Sequence, residues 1–238
     1  MKFLNGLCSL NQKKPNNMDA ILRRIVWVIM LLPAAYLAIV WKQMTPTVPI
    51  HFDINGNVDS YTSKSNFLVL MIALIFLNVV VYLVIKNVYR IDPKRYAMQN
   101  KDRMQRIGFY VATYLSAICI MLIYEIAHND VSMTVKFVFV AMGLLFALLG
   151  NNMYNIKPNY FAGIRLPWTL ENEDNWKKTH QLAGRLWFFG GVCFAAVALM
   201  LNSKWIGYIG MAILAILVLI PVIYSYNLYK NQTKKTQI

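Results

Sequence analysis

The sequence predicts an all-α polytopic membrane protein with six transmembrane helices. Of its 238 residues, 58% are hydrophobic, which is more than a soluble domain of this size usually contains. The charged residues are clustered, and the apolar runs between them are long enough for a bilayer, which needs about 20 helical residues. These runs have almost no polar face, and they lack the strict alternation of a barrel strand. The six predicted spans cover residues 24–41, 65–85, 107–124, 137–156, 186–203 and 205–229.

The positions of Lys and Arg predict the orientation. If both termini are cytoplasmic, the outer segments contain only four of the 24 basic residues. Basic residues are retained on the cytoplasmic side of a membrane, so we expect both termini to face the cytoplasm. The net charge of +14 then reflects topology and attraction to anionic lipid. The bilayer is therefore a predicted partner, whereas the absence of any nucleic-acid recognition motif argues against direct nucleic-acid binding.

We divide the chain into four parts by composition. Residues 1–20 form a cytosolic tail, 21–106 a two-helix module, 107–230 a four-helix module and 231–238 a second tail. The first ten residues are too short and too interrupted for the apolar region of a signal peptide. Cys8, Cys119 and Cys193 have neither a CxxC spacing nor a metal-ligand spacing, so no metal and no cofactor is predicted.

Three features inside the spans predict contacts between helices. Asn78 is a lone amide in hydrocarbon, and we expect it to bond to a neighbouring helix. Gly143 and Gly150 allow another helix to approach closely.

Between the second and third spans, Asp92-Pro93 ends one helix and can begin a short interfacial helix over 93–106. That segment could serve either as a lipid anchor or as a docking surface.

A small ordered outer loop is predicted between the first two spans. Ile50, Phe52 and Ile54 alternate with polar residues, as in a short strand, and Asn55-Gly56 favours a turn. The oxygen-bearing residues at 53, 55, 57 and 59 alternate like calcium ligands. However, Lys64 stands where the closing Glu would be, so hydrogen bonding within the turn is the preferred interpretation. The candidate binding residues here are Pro49, His51, Phe52, Asn55, Gly56 and Asp59.

The segment 159–187 is polar and rich in Trp, Arg and His, although it lies between two apolar runs. Pro158 and Pro167 prevent a continuous helix, and Gly163 permits a sharp turn between them. Thr169 is predicted to cap a new helix that continues into the fifth span as one element.

Two side chains of this segment carry their own predictions. His180 has no partner at metal or triad spacing, so we expect it to be structural and to hydrogen-bond the 159–165 loop. Arg165 is the single cation of the apolar run YFAGIRLPW. Its guanidinium is expected to bind a carboxylate, a lipid phosphate or helix-end carbonyls.

The run NYFAGIRLPWTLENEDNWKKTHQLAGRLW resembles the signature of the SdpI family of bacterial membrane proteins. In that signature, Asn-x-x-x-Gly-Ile-Arg and Pro-Trp-Thr precede Trp-x-x-Thr-His-x-x-Ala-Gly. The matching positions are Asn159, Gly163, Ile164, Arg165, Pro167, Trp168, Thr169, Trp176, Thr179, His180, Ala183, Gly184 and Trp187. The run PTVPIHFDINGNVDSY is similar to the uncharacterised N-terminal module that often accompanies this family, through Pro-x-His-Phe and Asn-Gly-x-x-Asp.

The resemblance implies a function that the residues alone do not. The family's namesake is a multipass immunity protein of the bacterial cytoplasmic membrane. It protects against a secreted toxic peptide and can hold a cytosolic transcriptional repressor at the membrane. By resemblance, this chain is a non-enzymatic immunity or signal-transduction protein. The outer loop is then the candidate peptide-sensing surface, and the stretch from Asn159 to Gly184 is the candidate partner-binding readout.

Two other functions stay open at this point. A membrane-embedded enzyme could use His180, Glu171 and Arg165, but the sequence has no HExxH or GxSxG motif. His51 is predicted to face the opposite side of the membrane from His180, so the two cannot share a metal. A small-solute transporter could use the 159–180 loop and Asn78, but no charge lies near the middle of a predicted span.

Overall fold

The computed structural model of the protein describes residues 17–52, 58–94, 96–128, 131–201 and 203–236. These residues include six long helices and one β-hairpin. All six long helices are long and apolar enough to cross a membrane. This confirms the predicted all-α polytopic fold. In chain order, the elements are α1 (Asn17–Val40), β1 (Thr47–Phe52), β2 (Val58–Ser63), α2 (Lys64–Asn87), α3 (Lys101–His128), α4 (Val131–Met153), α5 (Pro167–Glu171), α6 (Glu173–Met200) and α7 (Ser203–Thr236).

Connections between the long helices collect at two ends of the molecule. The hairpin face is the end that carries β1 and β2, residues 47–63. The basic face is the opposite end, with the connections 88–100 and 154–172. We expect the basic face to be cytoplasmic because most Lys and Arg residues belong to its segments.

The long helices pack in two groups that meet at α3 and α4. α1, α2 and α3 contact one another, as do α4, α6 and α7. The first group buries a cluster that includes Leu37, Phe67 and Ile123 near the hairpin face. α3 also packs on α4. The module boundary proposed at residue 106 stays a prediction.

Four glycines bring the backbones of α4 and α6 together. A Cβ on Gly143 would meet the backbone of Gly191 and Ala195, and one on Gly150 would meet the carbonyl of Gly184. We call Gly143, Gly150, Gly184 and Gly191 the glycine seam. The predicted close approach at Gly143 and Gly150 is confirmed. In lipid, such van der Waals contact replaces the hydrophobic effect as the force that joins helices.

Asn78 makes the predicted contact with a neighbouring helix. Its Nδ2 donates to the carbonyl oxygen of Ala112 at 3.1 Å and to Oγ of Ser116 at 3.0 Å, both on α3. The side chain is buried, with 2% of its surface exposed. These two bonds therefore hold α2 against α3, and the buried Asn78 side chain does not line an open path.

The outer loop folds as an antiparallel hairpin docked on the bundle. β1 pairs with β2 from Thr47–Ser63 to Phe52–Val58, with irregular register around His51. Val48 is buried in the cluster near the hairpin face. Ser63 caps α2 because its Oγ accepts from the backbone N–H of Asn66. The strand signature is thus confirmed up to residue 52, whereas Ile54 and the predicted Asn55-Gly56 turn lie outside the described residues.

The connection from α2 to α3 differs from the expected interfacial helix. It contains two 3₁₀ turns, Val88–Arg90 and Ala97–Asn100, and α3 already begins at Lys101. The reason is a contact with the 154–158 segment. Asn100 donates through Nδ2 to the carbonyl of Lys157 and accepts through Oδ1 from its backbone N–H, both at 3.0 Å. The segment is therefore folded against the next connection at the basic face.

Candidate functional site

The loop between α4 and α5 is organised around the side chain of Asn159. Its Oδ1 accepts from the backbone N–H groups of Phe161 and Ala162, at 2.9 and 2.7 Å. Its Nδ2 donates to the carbonyls of Lys157 and Ala162, at 3.0 and 3.1 Å. Only 1% of the Asn159 surface is exposed, so the amide uses its capacity on the loop backbone. An Asp at this position would lose the two bonds that Nδ2 donates, and a Leu would lose all the side-chain bonds.

Gly163 makes the predicted sharp turn, and the structure adds a second reason for glycine. Its φ is 104°, in the left-handed region that other residues avoid. A Cβ at this position would overlap Nε2 of His180. The loop therefore needs glycine both for its backbone conformation and for its closeness to the imidazole.

His180 joins this loop to α6, as predicted. Its Nε2 accepts from the backbone N–H of Ile164 at 2.9 Å, and its Nδ1 lies 2.8 Å from the carbonyl of Trp176. Since an amide can only donate and a carbonyl can only accept, the ring must be neutral with its proton on Nδ1. The residue is fully buried, and its ring stacks on Trp176 with centroids 3.9 Å apart. Both ring nitrogens are therefore used to hold backbone groups.

Trp176 fixes the beginning of the loop in the same way. Its Nε1 donates to the carbonyl of Ile156 at 2.8 Å, and the ring belongs to a buried cluster with Val88, Met104 and Ile107. That cluster joins the 3₁₀ turn after α2 to α3 and α6 under the loop. Trp176 and His180 together anchor the loop at Ile156 and Ile164.

The predicted helix cap at Thr169 is wrong. Asn172 caps α6, since its Oδ1 accepts from the backbone N–H groups of Asp174 and Asn175, at 3.0 and 2.9 Å. Thr169 lies one element earlier, in α5, where its Oγ1 accepts from the backbone N–H of Leu166 at 2.9 Å. The expectation failed because the extended backbone of Asn172 separates the short α5 from α6. From Glu173 to Met200, the polar start does continue into the fifth span as one helix, as predicted.

A second group of bonds ties this region to α7. Trp168 donates from Nε1 to Oγ of Ser225 at 2.8 Å, and Ser225 donates in turn to Oδ1 of Asn175 at 2.9 Å. Asn175 returns a bond from Nδ2 to the carbonyl of Ser225 at 3.0 Å, and Thr179 donates to Asn175 Oδ1 at 3.0 Å. Trp168 also stacks on Tyr229. We call the bonded set from Asn159 to Ser225 the polar network.

Arg165 lies at the exposed edge of the polar network. Its Nη1 donates to the carbonyl of Tyr160 at 2.8 Å, so it closes the loop on itself. This partner is a loop carbonyl, which differs from the carboxylate, phosphate or helix-end carbonyl expected from sequence. The neighbouring Tyr160 and Phe161 are 44% and 40% exposed. Two aromatic rings and a guanidinium are thus presented outward at one place.

A cavity of about 260 Å³ opens beside the polar network. Asn155 to Pro158 form one wall, and the first three turns of α6 form another. Its charged lining contains both signs, with Lys157 and Lys177 against Glu173 and Asp174. The cavity can therefore receive polar groups from a partner at the basic face.

The outer candidates form a separate site at the hairpin face. His51 and Asp59, on opposite strands, come together with Nδ1 and Oδ1 2.6 Å apart, and both side chains are exposed. Pro49 is paired with Tyr61 across the hairpin. The backbone of Phe52 is in β1, whereas Asn55 and Gly56 lie outside the described residues. Among the residues that the structure describes, no cluster of metal ligands occurs.

The polar network also contains residues that sequence reasoning missed. Asn172, Asn175 and Ser225 were not among the candidates, although Asn175 and Ser225 are both fully buried. The spacing of Asn175 and Thr179 on one helical turn was an available signal. Ser225 sits 50 residues from its partner, and no local pattern marks it.

The family comparison falls on this network. Residues 155–225 match the model of the SdpI/YfhL protein family, a range that begins just before Asn159 and ends at Ser225. This segment of the chain is therefore similar to the SdpI/YfhL family. Residues 28–77, which include the hairpin, match a domain of unknown function, DUF1648. The resemblance found in both sequence stretches is confirmed.

One curated relative extends the comparison. The chain is 26% identical over 117 residues to the immunity protein SdpI of Bacillus subtilis (strain 168). The alignment covers 49% of this chain and 53% of the relative, so the chain spans about half the length of that protein. No solved structure matches the chain.

Proposed function

We propose that this protein is an immunity or signal-transduction protein of the bacterial cytoplasmic membrane and has no enzymatic activity. The observation that carries the proposal is the polar network, because it coincides with the segment that defines the family. Its relative is named as an immunity protein. The network holds the 155–172 connection in one conformation, which suits a binding surface that has to be recognised by a partner.

The basic face is the proposed readout, and a cytosolic transcriptional repressor is the proposed partner. Arg165, Tyr160 and Phe161 are exposed. The cavity between residues 155–158 and the start of α6 is lined by charges of both signs. Aromatic residues and Arg are the side chains most enriched at the centres of protein interfaces. Both the rigid loop and its chemistry therefore favour docking of a folded partner.

The hairpin face is the proposed sensing surface for a secreted antimicrobial peptide. Tyr61 is 65% exposed and Ile50 is 44% exposed, beside the exposed pair of His51 and Asp59. Within the described part of the chain the sheet has two strands, so each strand has one edge without a strand partner. An extended peptide can add to a strand edge through backbone hydrogen bonds. The hairpin is fixed to the first helix group through Val48, so binding there acts on α1, α2 and α3.

The chemistry of His180 supports a role other than catalysis. A general base needs a nitrogen that can take a proton from a substrate. In this protein, Nε2 is occupied by the Ile164 amide and Nδ1 by the Trp176 carbonyl. For either nitrogen to take a proton from a substrate, its bond to the backbone would have to break, and the loop would be released.

A challenge assay tests the proposal. The full chain is expressed in a sensitive bacterium exposed to a secreted antimicrobial peptide, and survival is compared at matched membrane levels. His51→Ala tests the hairpin face, Arg165→Gln tests the basic face and Lys230→Gln, elsewhere on the basic face, serves as the control. We expect wild type and Lys230→Gln to protect, and His51→Ala to lose protection.

A second readout separates the two proposed surfaces. Membranes are solubilised after exposure to the peptide, and a cytosolic transcriptional repressor that co-purifies with the chain is measured in the captured fraction. Arg165→Gln should keep protection but lose repressor capture. Equal capture by wild type and Arg165→Gln would place the readout elsewhere, and no protection by wild type would refute the immunity function.

A further inference from the structure

The start of α2 is joined directly to the hairpin, since no residue separates β2 from α2. Lys64 donates from its backbone N–H to the carbonyl of Pro46 at 2.8 Å and from Nζ to the carbonyl of Met44 at 3.1 Å. Val48 of β1 is buried in the same cluster as Phe67 of α2. The hairpin and the first turn of α2 therefore form one unit.

The other end of α2 leads to the buried cluster beneath the loop between α4 and α5. Val88, the first residue after α2, packs in this cluster with Trp176 of α6. α2 has 24 residues, so it is about 36 Å long at 1.5 Å of rise per residue. It contains neither proline nor glycine, the residues at which helices most often kink. A continuous, stiff helix thus connects the hairpin face to the basic face.

Three side chains of the 88–100 connection bond to the segment that follows α4. Nζ of Lys94 donates to the carbonyl of Leu170 at 2.9 Å, and the hydroxyl of Tyr96 donates to Oε2 of Glu173 at 3.1 Å. Asn100 adds its two bonds of 3.0 Å to the backbone at the beginning of that segment. We call Lys94, Tyr96 and Asn100 the clasp.

The clasp lies over part of the proposed readout. Nζ of Lys94 is 5.1 Å from the centroid of the Tyr160 ring. Tyr96 lines the cavity at the basic face and bonds to Glu173, which lines the same cavity. The polar network holds the loop through separate bonds. Opening of the clasp would therefore uncover the Tyr160 ring and widen the cavity without unfolding the loop.

We propose that the clasp is an autoinhibitory contact, which the hairpin opens through α2. A peptide bound at the hairpin shifts α2 and the connection that follows it by about 1–2 Å, as in other helix shifts that transmit binding. Hydrogen bonds are lost beyond about 3.5 Å, so this shift is enough to break the bonds of the clasp. The inference rests on the proposed function for its input, a peptide, and its output, a captured partner.

Hydrogen–deuterium exchange of the full chain in lipid nanodiscs tests the link without peptide or repressor. Asn100→Ala opens the clasp and should raise backbone exchange about fivefold in the distant hairpin, because coupling between two sites is reciprocal. Val48→Ala loosens the hairpin and should raise exchange by a similar factor in residues 155–172. Asn87→Ala and Ile50→Ala are the matched controls and should change neither region, since Asn87 bonds within α2 and Ile50 is exposed.

The double variant Val48→Ala/Asn100→Ala should exchange no faster than the single variants, because the clasp is already open. Exchange in α7 should stay at the wild-type rate, which separates release of the clasp from general destabilisation. If Asn100→Ala raises exchange throughout the chain, Tyr96→Phe replaces it as a milder variant that removes only the hydroxyl. Changes confined to the substituted face, or additive effects in the double variant, would overturn the proposal.

Capture of a co-purifying repressor tests the output. Asn100→Ala should capture it without peptide to the level that wild type reaches with peptide. Capture by Asn100→Ala that depends on the peptide as strongly as in wild type would exclude autoinhibition. If wild type neither protects nor captures a repressor, the proposed function fails, whereas the exchange measurement still decides whether α2 and the clasp connect the two faces.

Discussion

Nε2 of His180 accepts a hydrogen bond from the backbone N–H of Ile164, 16 residues earlier, over 2.9 Å. This bond crosses from a loop to the buried side of α6, so the loop cannot move without exposing an unpaired amide. The same ring donates to the Trp176 carbonyl, which leaves no ambiguity about its proton. The His180 ring thus bridges two backbone segments, the loop at Ile164 and the α6 backbone at Trp176.

His180→Ala should destabilise the protein strongly. The change leaves the Ile164 amide unsatisfied and opens a cavity beside Trp176, which together cost about 2–4 kcal/mol. Thermal unfolding of the purified protein, followed by tryptophan fluorescence, measures the loss. The matched control is His128→Ala, which removes an exposed ring that stacks on Tyr124 and should change little. Equal stability of the two variants would contradict the structural role of His180.

Gly163→Ala should disturb the loop although it adds one methyl group. The added Cβ would overlap the His180 ring, and the left-handed backbone conformation costs roughly 1 kcal/mol for a residue other than glycine. Limited proteolysis between residues 155 and 172 should become faster. Gly207→Ala is the control, since a Cβ there meets no heavy atom within 4 Å. A protease pattern shared with wild type would show that the loop adapts without strain.

The glycine seam should be intolerant of larger residues. Gly150→Leu would push the α6 backbone away from α4, because the Gly184 carbonyl lies within contact distance of the added atoms. We expect loss of folded protein from the membrane fraction, measured at equal transcript level. Gly207→Leu should accumulate normally. Normal levels of both variants would mean that α4 and α6 do not need close contact.

Trp168 and Ser225 should be energetically coupled. Trp168→Phe keeps an aromatic ring against Tyr229 but loses the Nε1 donor to Ser225. Ser225→Ala loses the acceptor together with the bond to Asn175. A double-mutant cycle on unfolding free energy should give a coupling of about 1 kcal/mol. Additive effects would show that the bond contributes nothing to stability.

Arg165→Lys should impair function without lowering the amount of protein. Lysine replaces the planar fork of Arg165 with a compact ammonium group. The ammonium cannot bond the Tyr160 carbonyl and also offer a partner the coplanar pair of N–H donors that a guanidinium presents. Capture of the repressor is the measurement, with membrane level as the internal reference. Full capture by Arg165→Lys, alongside loss in Arg165→Gln, would mean that charge alone is recognised.

The membrane fold could be predicted from sequence because hydrocarbon imposes one simple requirement on the chain. Each span can be identified by its length and lack of charge. Within the spans, Gly143, Gly150 and Asn78 are unusual residue types, so their role in helix contacts could be predicted. The hairpin followed from the alternation around His51. These are local signals, readable over a few residues.

Much of the polar network could not be predicted because its bonds join distant positions. His180 was predicted to bond to the 159–165 loop, and Gly163 was predicted to allow its turn. Asn175, however, bonds to Ser225 across 50 residues, and Asn100, outside the network, bonds to Lys157 across 57 residues. Nothing local distinguishes such an Asn or Ser from a solvent-exposed one. Thr169 was misplaced for a related reason, since Asn172 is also a good cap and only the fold selects between them.

The bonds between Asn175 and Ser225 have a consequence for biosynthesis. Ser225 is synthesised 50 residues after Asn175, which corresponds to roughly 3–10 s of translation at 5–20 residues per second. During that interval, the Asn175 amide and the Trp168 indole have been made, but their shared partner has not. α7 therefore completes the polar network, and a nascent chain lacks the finished network until that helix has entered the membrane.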